Sequence, residues 1–384
     1  MQRSEILRWL LETDADRLEE LWRAADAVRR AHVGDVVHLR GLIEISNYCV
    51  RLCTYCGLRG PNAALQRYRM TSDEIVACAH RAAALGYGTV VLQAGEDPLL
   101  TREWVADLVR QIKATTGLAI TLSLGEQDED TLRAWRQAGA DRYLLRFETS
   151  NPVLFERIHP PRPGRRADRV AQLAVLRQLD YEVGSGIMIG IPGQTYEDLA
   201  RDIELFRALD LDMIGVGPFL PHPATPLGQS CFSGAADSAP ATAGATAESA
   251  GRAAPRSRPS DPVPNSELMT YKVVALARLV CPDANIPSTT ALATLNRDRG
   301  RELGLQRGAN IIMPNLTPAP YRRLYEVYPA KACLFEDPTT HLAALTDRLR
   351  AIGRSVGQGP GCSRNWLNRR ASAAGTSPAA SVRA

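Results

Sequence analysis

Apolar positions along the chain fall into short runs separated by longer amphipathic stretches. In residues 3–31, Leu7, Leu10, Leu11, Leu18, Leu21 and Trp22 recur at helical spacing among charges, which predicts a helix. The run 36–45 (VVHLRGLIEI) predicts a strand. A helix over 72–85 follows, with Thr71 as N-cap and Glu74 three residues on, the spacing of a capping box. Further strands are predicted over 89–93, 118–123, 142–147, 181–189, 212–217, 285–289 and 309–313. Between them fall helices over 101–115, 128–138, 151–158, 167–180, 195–208, 266–280 and 297–306, with a last one over 340–352. Strands alternating with helices of this length imply parallel βαβ units. The expected fold is therefore α/β: a complete (β/α)8 TIM-type barrel over 34–355, preceded by an N-terminal helical segment, 1–33.

Two segments stand outside this pattern. Residues 230–265 are Ala, Ser, Gly and Pro with almost no large apolar side chain, so a disordered insertion in one loop is expected. Residues 356–384 form a C-terminal tail, expected to be disordered because from about 370 its composition is the same.

The 45% hydrophobic content supports a sizeable core, and a net charge of +4 is too small and dispersed to indicate nucleic acid. No apolar run approaches a membrane span. Eight cysteines in 384 residues suit a reducing cytoplasm better than a disulfide framework. Cys78 and Cys281 lie in apolar helical patterns and read as inert.

Cys49, Cys53 and Cys56 are different, because they follow the first strand in one loop as C-x3-C-x2-C. Thiolates bind zinc and iron–sulfur clusters. Structural zinc wants four protein ligands, and this loop holds no fourth cysteine and no histidine. A 4Fe–4S cube held by three cysteines leaves one iron open to a small molecule. A zinc knuckle or scattered buried cysteines remain the plainer alternatives. Polar residues also end every predicted strand, among them Gln93, Glu96, Ser123, Glu126, Arg146, Glu148, Thr289, Thr290 and Met313-Pro-Asn315. In a barrel, chemistry gathers at that mouth. Arg142, inward in an apolar strand, is costly unless paired or facing a ligand, and is a candidate site residue.

The triad with Tyr55 beside its last cysteine resembles the radical S-adenosylmethionine (SAM) superfamily, which carries C-x3-C-x-aromatic-C. The resemblance implies one 4Fe–4S cluster on Cys49, Cys53 and Cys56, with SAM on the open iron. It further implies an adenine contact from Tyr55 and reductive cleavage of SAM to a 5′-deoxyadenosyl radical. Ala94-Gly95-Glu96 resembles the segment whose backbone holds the methionine amino group, and Glu148 with Arg169 resembles the pair that grips SAM's ribose or amino group and its carboxylate. Ser123 joins them as a cofactor-binding candidate.

The loops VLQAGEDP, TLSLGE, AGADRYLLRFETSNP, MIGIPGQT, GVGPFLPHPATPL, NIPSTTA, ANIIMPNLTPAPYRRLY and YPAKAC, spread through the stretch from about 40 to 335, resemble the HydE family. These are radical SAM maturases of iron–iron hydrogenase. The resemblance implies a substrate in which iron carries cysteine, carbonyl and cyanide, made by the HydG maturase and passed towards HydF. It also implies a low-potential electron donor. Substrate-facing residues carried over are Gln93, Arg142, Met188, Thr289, Thr290, Met313 and Tyr325. Three departures accompany it. Only Cys333 matches the triad of a second cluster some members carry, so no second cluster is expected. Phe147 replaces a histidine common before Glu148, and the 230–265 insertion is unusual. An organic substrate, as in methylornithine synthases, and a non-catalytic iron–sulfur scaffold are the competing readings.

Overall fold

The computed structural model describes residues 1–161, 168–236, 257–335, 338–373 and 375. Eight strands form one parallel sheet: β1 (Val36–Ser46), β2 (Thr89–Ala94), β3 (Ala119–Ser123), β4 (Arg142–Leu144), β5 (Glu182–Ile189), β6 (Met213–Pro218), β7 (Ile311–Ile312) and β8 (Ser355–Val356). The ladder runs β6-β5-β4-β3-β2-β1-β7, and β8 pairs with β1 outside that path. The α/β architecture agrees with the alternating pattern; the complete eight-stranded barrel does not. Its expected seventh strand, 285–289, makes only isolated bridges, Asn285 to Met213 and Pro287 to Ile311. Pro287 has no N–H to donate, and Thr289 already caps the helix Thr290–Leu295, so no ladder develops there. The seven strands of that ladder make a parallel half-barrel, with the gap between β6 and β7 spanned by single bridges.

Other differences are local. The expected helix over 3–31 divides into Arg3–Leu11 and Ala15–Val33. The carboxylate of Glu12 accepts from the main-chain N–H groups of Thr13 and Asp14, and Asp14 then caps the second helix by accepting from Arg17 N. The centre of the expected insertion, 237–256, lies outside the described residues, but its flanks have structure. Pro226–Ala236 is helical, while Val263 N donates to Gln194 O and Glu197 N to Pro259 O. The C-terminal tail is likewise structured through Ala373. After β8 it crosses beneath the barrel and ends in the helix Arg364–Ala373, held by Arg369 on Asp212 at 2.6 Å and Arg370 on Asp180 at 2.7 Å. Among the described residues no helix is long and apolar enough to cross a membrane.

Register sorts the barrel interior into layers. Gly41 faces outward, since a Cβ there would meet Leu316, Tyr87 and Ala82, so Arg40, Leu42 and Glu44 face inward. Their partners are Thr89, Val91 and Gln93 on β2, then Ala119, Thr121 and Ser123 on β3. Arg142 pairs with Thr121 and with Glu182, and Gly184 with Met213. The floor is thus polar, with Arg40, Arg142 and Glu182. Above it lies a largely apolar layer of Leu42, Val91, Leu144 and Met213. A second polar layer, with Glu44, Gln93 and Ser123, opens at the strand ends that carry the cysteine loop.

Candidate active site

The cysteine loop leaves β1 and is fastened on three sides by main-chain bonds. Val50 N donates to Glu96 O at 3.0 Å, Thr54 N to Ile158 O at 2.9 Å, and Gly57 N to Val327 O at 3.0 Å. Arg69 forks onto Asp97, which also accepts from Ser46 Oγ at 2.6 Å, joining the ends of β1 and β2. Gly95 is required here: a Cβ would lie 2.2 Å from Tyr48 O and 2.6 Å from the Cys49 Cβ. Burial pushes all three thiols up, Cys56 to about 12, with Cys49 adding to the shift at Cys56 and both of them to that at Cys53. Thiolates crowded into so dry a place need a cationic centre to stabilise them. Among the described residues no three His, Cys, Asp or Glu side chains converge as they would on a single ion. A polynuclear cluster, with one thiolate per iron, suits this donor set.

Beside the loop lies a buried charge network. Arg51 pairs with Glu96 and Glu126, each at 2.5 Å. Glu126 also takes Arg169 Nε at 2.9 Å and lies 3.1 Å from His159 Nε2. Burial works to raise the Glu126 carboxyl, yet the His159 hydrogen bond and the Arg169 and Arg51 charges hold it well below the carboxylate range. Arg169 is buried, but the Tyr55, Glu126 and Glu148 oxygens around it keep it firmly protonated. Tyr55 donates to Glu148 Oε1 at 3.2 Å. Glu148 has φ 65°, a left-handed conformation that an ordinary residue adopts at a cost.

Interior positions that keep partial exposure trace an open cavity behind this network: Gln93, Ser123, Leu144, Arg146, Thr289 and Met313. Gly215 makes room for it, because a Cβ there would meet nothing nearer than Ser185 O at 3.8 Å. Arg146 pairs with Glu148 at 3.0 Å, and its Nε is buried without a hydrogen-bond partner. Near the mouth, Glu44 holds Lys331 at 2.6 Å and Asn315 at 3.0 Å, with Lys331 5.0 Å from the Tyr325 ring.

The structure thus brings Tyr55, Gly95, Glu96, Glu148 and Arg169 to the cysteine loop, and Gln93, Ser123, Thr289 and Met313 to the cavity wall, with Thr290 half-buried beside Thr289. Met188 is buried in an apolar cluster that Tyr55 packs against, and Tyr325 is buried beside Lys331. Arg142 lies elsewhere. It sits in the polar floor beneath Leu144, bonded to Glu182 at 2.6 Å, Thr89 at 3.0 Å and Pro360 O at 2.8 Å. The tail expected to be disordered supplies that last partner, so the floor arginine is paired rather than free for a ligand. Sequence reasoning missed Arg51, His159, Glu44 and Lys331 as functional residues. Glu44 was visible as an acid in the inward phase of β1; the others gain meaning only from tertiary neighbours.

The Radical SAM superfamily model matches residues 43–206. The [FeFe] hydrogenase maturase subunit HydE of Thermotoga maritima is 42% identical over 375 residues, 96% of this chain and 96% of that one. A 3-methylornithine synthase of Methanosarcina barkeri is 30% identical over 316 residues, 81% of this chain and 79% of that one. Among solved structures, the crystal structure of methylornithine synthase (PylB) superposes with a TM-score of 0.73 at 25% identity, over 96% of both chains.

Proposed function

The chain belongs to the HydE family of hydrogenase maturase subunits, a radical SAM enzyme family, and from this we propose that it acts on an iron-bound cysteine precursor of the iron–iron hydrogenase cluster. Cys49, Cys53 and Cys56 would hold one 4Fe–4S cluster. When bound and reduced, it supplies the electron that cleaves SAM.

The chain's own residues then orient and shield. Arg169 presents a fork suited to the SAM carboxylate, while Gly95, Glu96 and Ser123 line the approach to its amino group. Glu148, held by Tyr55, accepts from amine or hydroxyl donors. Behind them Gln93, Thr289, Thr290 and Met313 offer amide, hydroxyl and thioether contacts to the precursor. Met188 and Tyr325 wall the neighbouring apolar surfaces. The cation that would meet an anionic iron complex is Arg146, not Arg142. One observation carries this reading: the cysteine loop and the open, arginine-bearing cavity share one mouth, above a sealed floor that excludes water.

Other parts of the reading rest on family likeness. HydG would supply the precursor and HydF receive the product, a low-potential donor would reduce the cluster, and the reducing cytoplasm would be the setting. Cys333 and Cys362 support a single cluster, since one touches Asn315 near the mouth and the other Arg142 in the floor. The likeness to methylornithine synthases keeps an organic substrate as the second reading. The deciding experiment is anaerobic. Reconstituted, reduced protein is given SAM with and without the iron–cysteine complex, and 5′-deoxyadenosine and adenosyl transfer are measured. Adenosyl transfer to the complex is expected. SAM cleavage that ignores the complex would favour the organic substrate, and no cleavage by loaded protein would favour a scaffold.

A further inference from the structure

We infer that His159 is a positioning residue that donates a hydrogen bond to the Cys53 sulfur and links that cluster ligand to Arg169. The inference rests on the reading that the cysteine triad holds the cluster. His159 Nδ1 lies 2.9 Å from Cys53 Sγ, and its Nε2 lies 2.9 Å from Arg169 Nη2. The imidazole is 1% exposed and so has no water to fall back on. Its place is set by the backbone, because Thr54 N, next to Cys53, donates to the carbonyl of Ile158, next to His159. The N–H of His159 in turn donates to Phe155 O and closes the helix Pro152–Ile158. The loop and the histidine therefore move as one unit.

The donor inventory assigns the proton. A neutral imidazole carries one N–H, and a guanidinium can only donate. With Arg169 donating to Nε2, that nitrogen carries no hydrogen, so Nδ1 bears the proton and points it at sulfur. A metal-bound thiolate has no hydrogen of its own, and of the two neutral tautomers this one alone satisfies it, while an imidazolium would set Nε2–H against the Arg169 donor. With a free thiol the opposite arrangement serves: Cys53 S–H donates to Nδ1, and Nε2–H donates to Glu126 Oε1 at 3.1 Å. Loading the triad thus selects the tautomer that also engages Arg169. The two ends should have separable effects. Hydrogen bonds to cluster sulfurs stabilise the added charge of the one-electron-reduced state and raise its potential. The Nε2 contact fixes the rotamer of the arginine that would receive the SAM carboxylate.

Two substitutions in the full-length reconstituted protein separate these ends. His159→Asn keeps an N–H near the Nδ1 position, and His159→Gln keeps a polar group near the Nε2 position. The cluster potential is read by an EPR-monitored titration with a chemical reductant and mediators, and SAM affinity by equilibrium dialysis. His159→Asn should retain the wild-type potential and bind SAM more weakly. His159→Gln and His159→Phe should shift the potential downward, with Gln keeping more of the SAM affinity. Equal potentials in Asn, Gln, Phe and wild type would overturn the inference. Wild-type protein that loads no cluster, or Cys53→Ala that loads normally, would instead overturn the reading beneath it.

Discussion

Arg142 on β4 and Glu182 on β5 are register partners whose side chains meet at 2.6 Å with neither reached by solvent. Such a pair survives burial because every remaining polar atom finds a partner: Arg142 reaches Thr89 and Pro360 O, and Glu182 accepts from Ser363 N at 2.8 Å. Removing one half leaves the other as an uncompensated buried charge, which costs about 3–5 kcal/mol. Arg142→Met should therefore lower the unfolding free energy by about that much, with part restored in Arg142→Met/Glu182→Leu. Denaturant unfolding of the single and double variants checks this. A stable Arg142→Met protein that has lost only maturation activity would return Arg142 to the substrate.

The cysteines make a second, compositional prediction. Reconstituted protein should carry about four irons per chain and a brown chromophore. Cys53→Ala should lose both, whereas Cys333→Ala and Cys362→Ala should keep them. About eight irons in the wild type would establish a second cluster.

Arg169 offers a test of the SAM reading. Its replacement by lysine preserves charge but not the fork, and a charge-assisted contact of about 1.5–3 kcal/mol corresponds to roughly ten- to hundredfold in affinity. Arg169→Lys should weaken SAM binding by that factor while iron content stays at the wild-type level. Unchanged binding in dialysis would remove Arg169 from the cofactor site.

The cavity makes its own prediction through two glycines paired on the neighbouring strands β5 and β6. Gly215 has open space beyond its Cα, so Gly215→Val should fold, fill the cavity, and raise KM for the iron complex while SAM cleavage persists. At Gly186 an added Cβ would lie 1.8 Å from Gly215 O, so Gly186→Ala should fail to fold. If Gly215→Val turned over the complex normally, the substrate would have to bind elsewhere.

Asp202 should leave a mark on stability against pH. It is wholly buried, accepts from Ser150 N at 2.5 Å and Gln194 Nε2 at 3.3 Å, and burial pushes its carboxyl up to about 7 despite those bonds. Its unfolded value is the ordinary 3.8, so the folded state holds the proton more tightly. The resulting stability is complete below about pH 4 and is lost as pH rises to about 7, with a ceiling of about 4 kcal/mol. Urea unfolding at pH 5 and pH 8 should show this loss in the wild type and not in Asp202→Asn. A wild-type-to-variant difference that stays constant with pH would count against it.

Much of this protein is written in local pattern. Apolar period and capping chemistry placed the helix Ser72–Ala84, and Cys49, Cys53 and Cys56 follow β1 as expected because a three-cysteine loop carries its chemistry in its own spacing. Polar residues at strand ends predicted the mouth, since a parallel sheet brings those ends together whatever lies between. Other features needed the chain to fold. The inward Arg142 read correctly as a charge requiring a partner, but whether that partner was ligand or protein depended on Glu182 and on Pro360, distant in sequence. The tail at 355–363 gave no local signal of order because much of its contribution is main-chain groups, such as Pro360 O on Arg142 and Ser363 N on Glu182, and any sequence has those. The half-barrel followed from Pro287 and a helix cap competing for the residues that a seventh strand needed. His159 acquires a role only where one main-chain bond, Thr54 to Ile158, sets it against Cys53. Periodicity and spacing determined the elements and the chemistry available to them. Tertiary structure decided which charges neutralise one another, and so which remain for a ligand, because burial makes that pairing a property of neighbours in space.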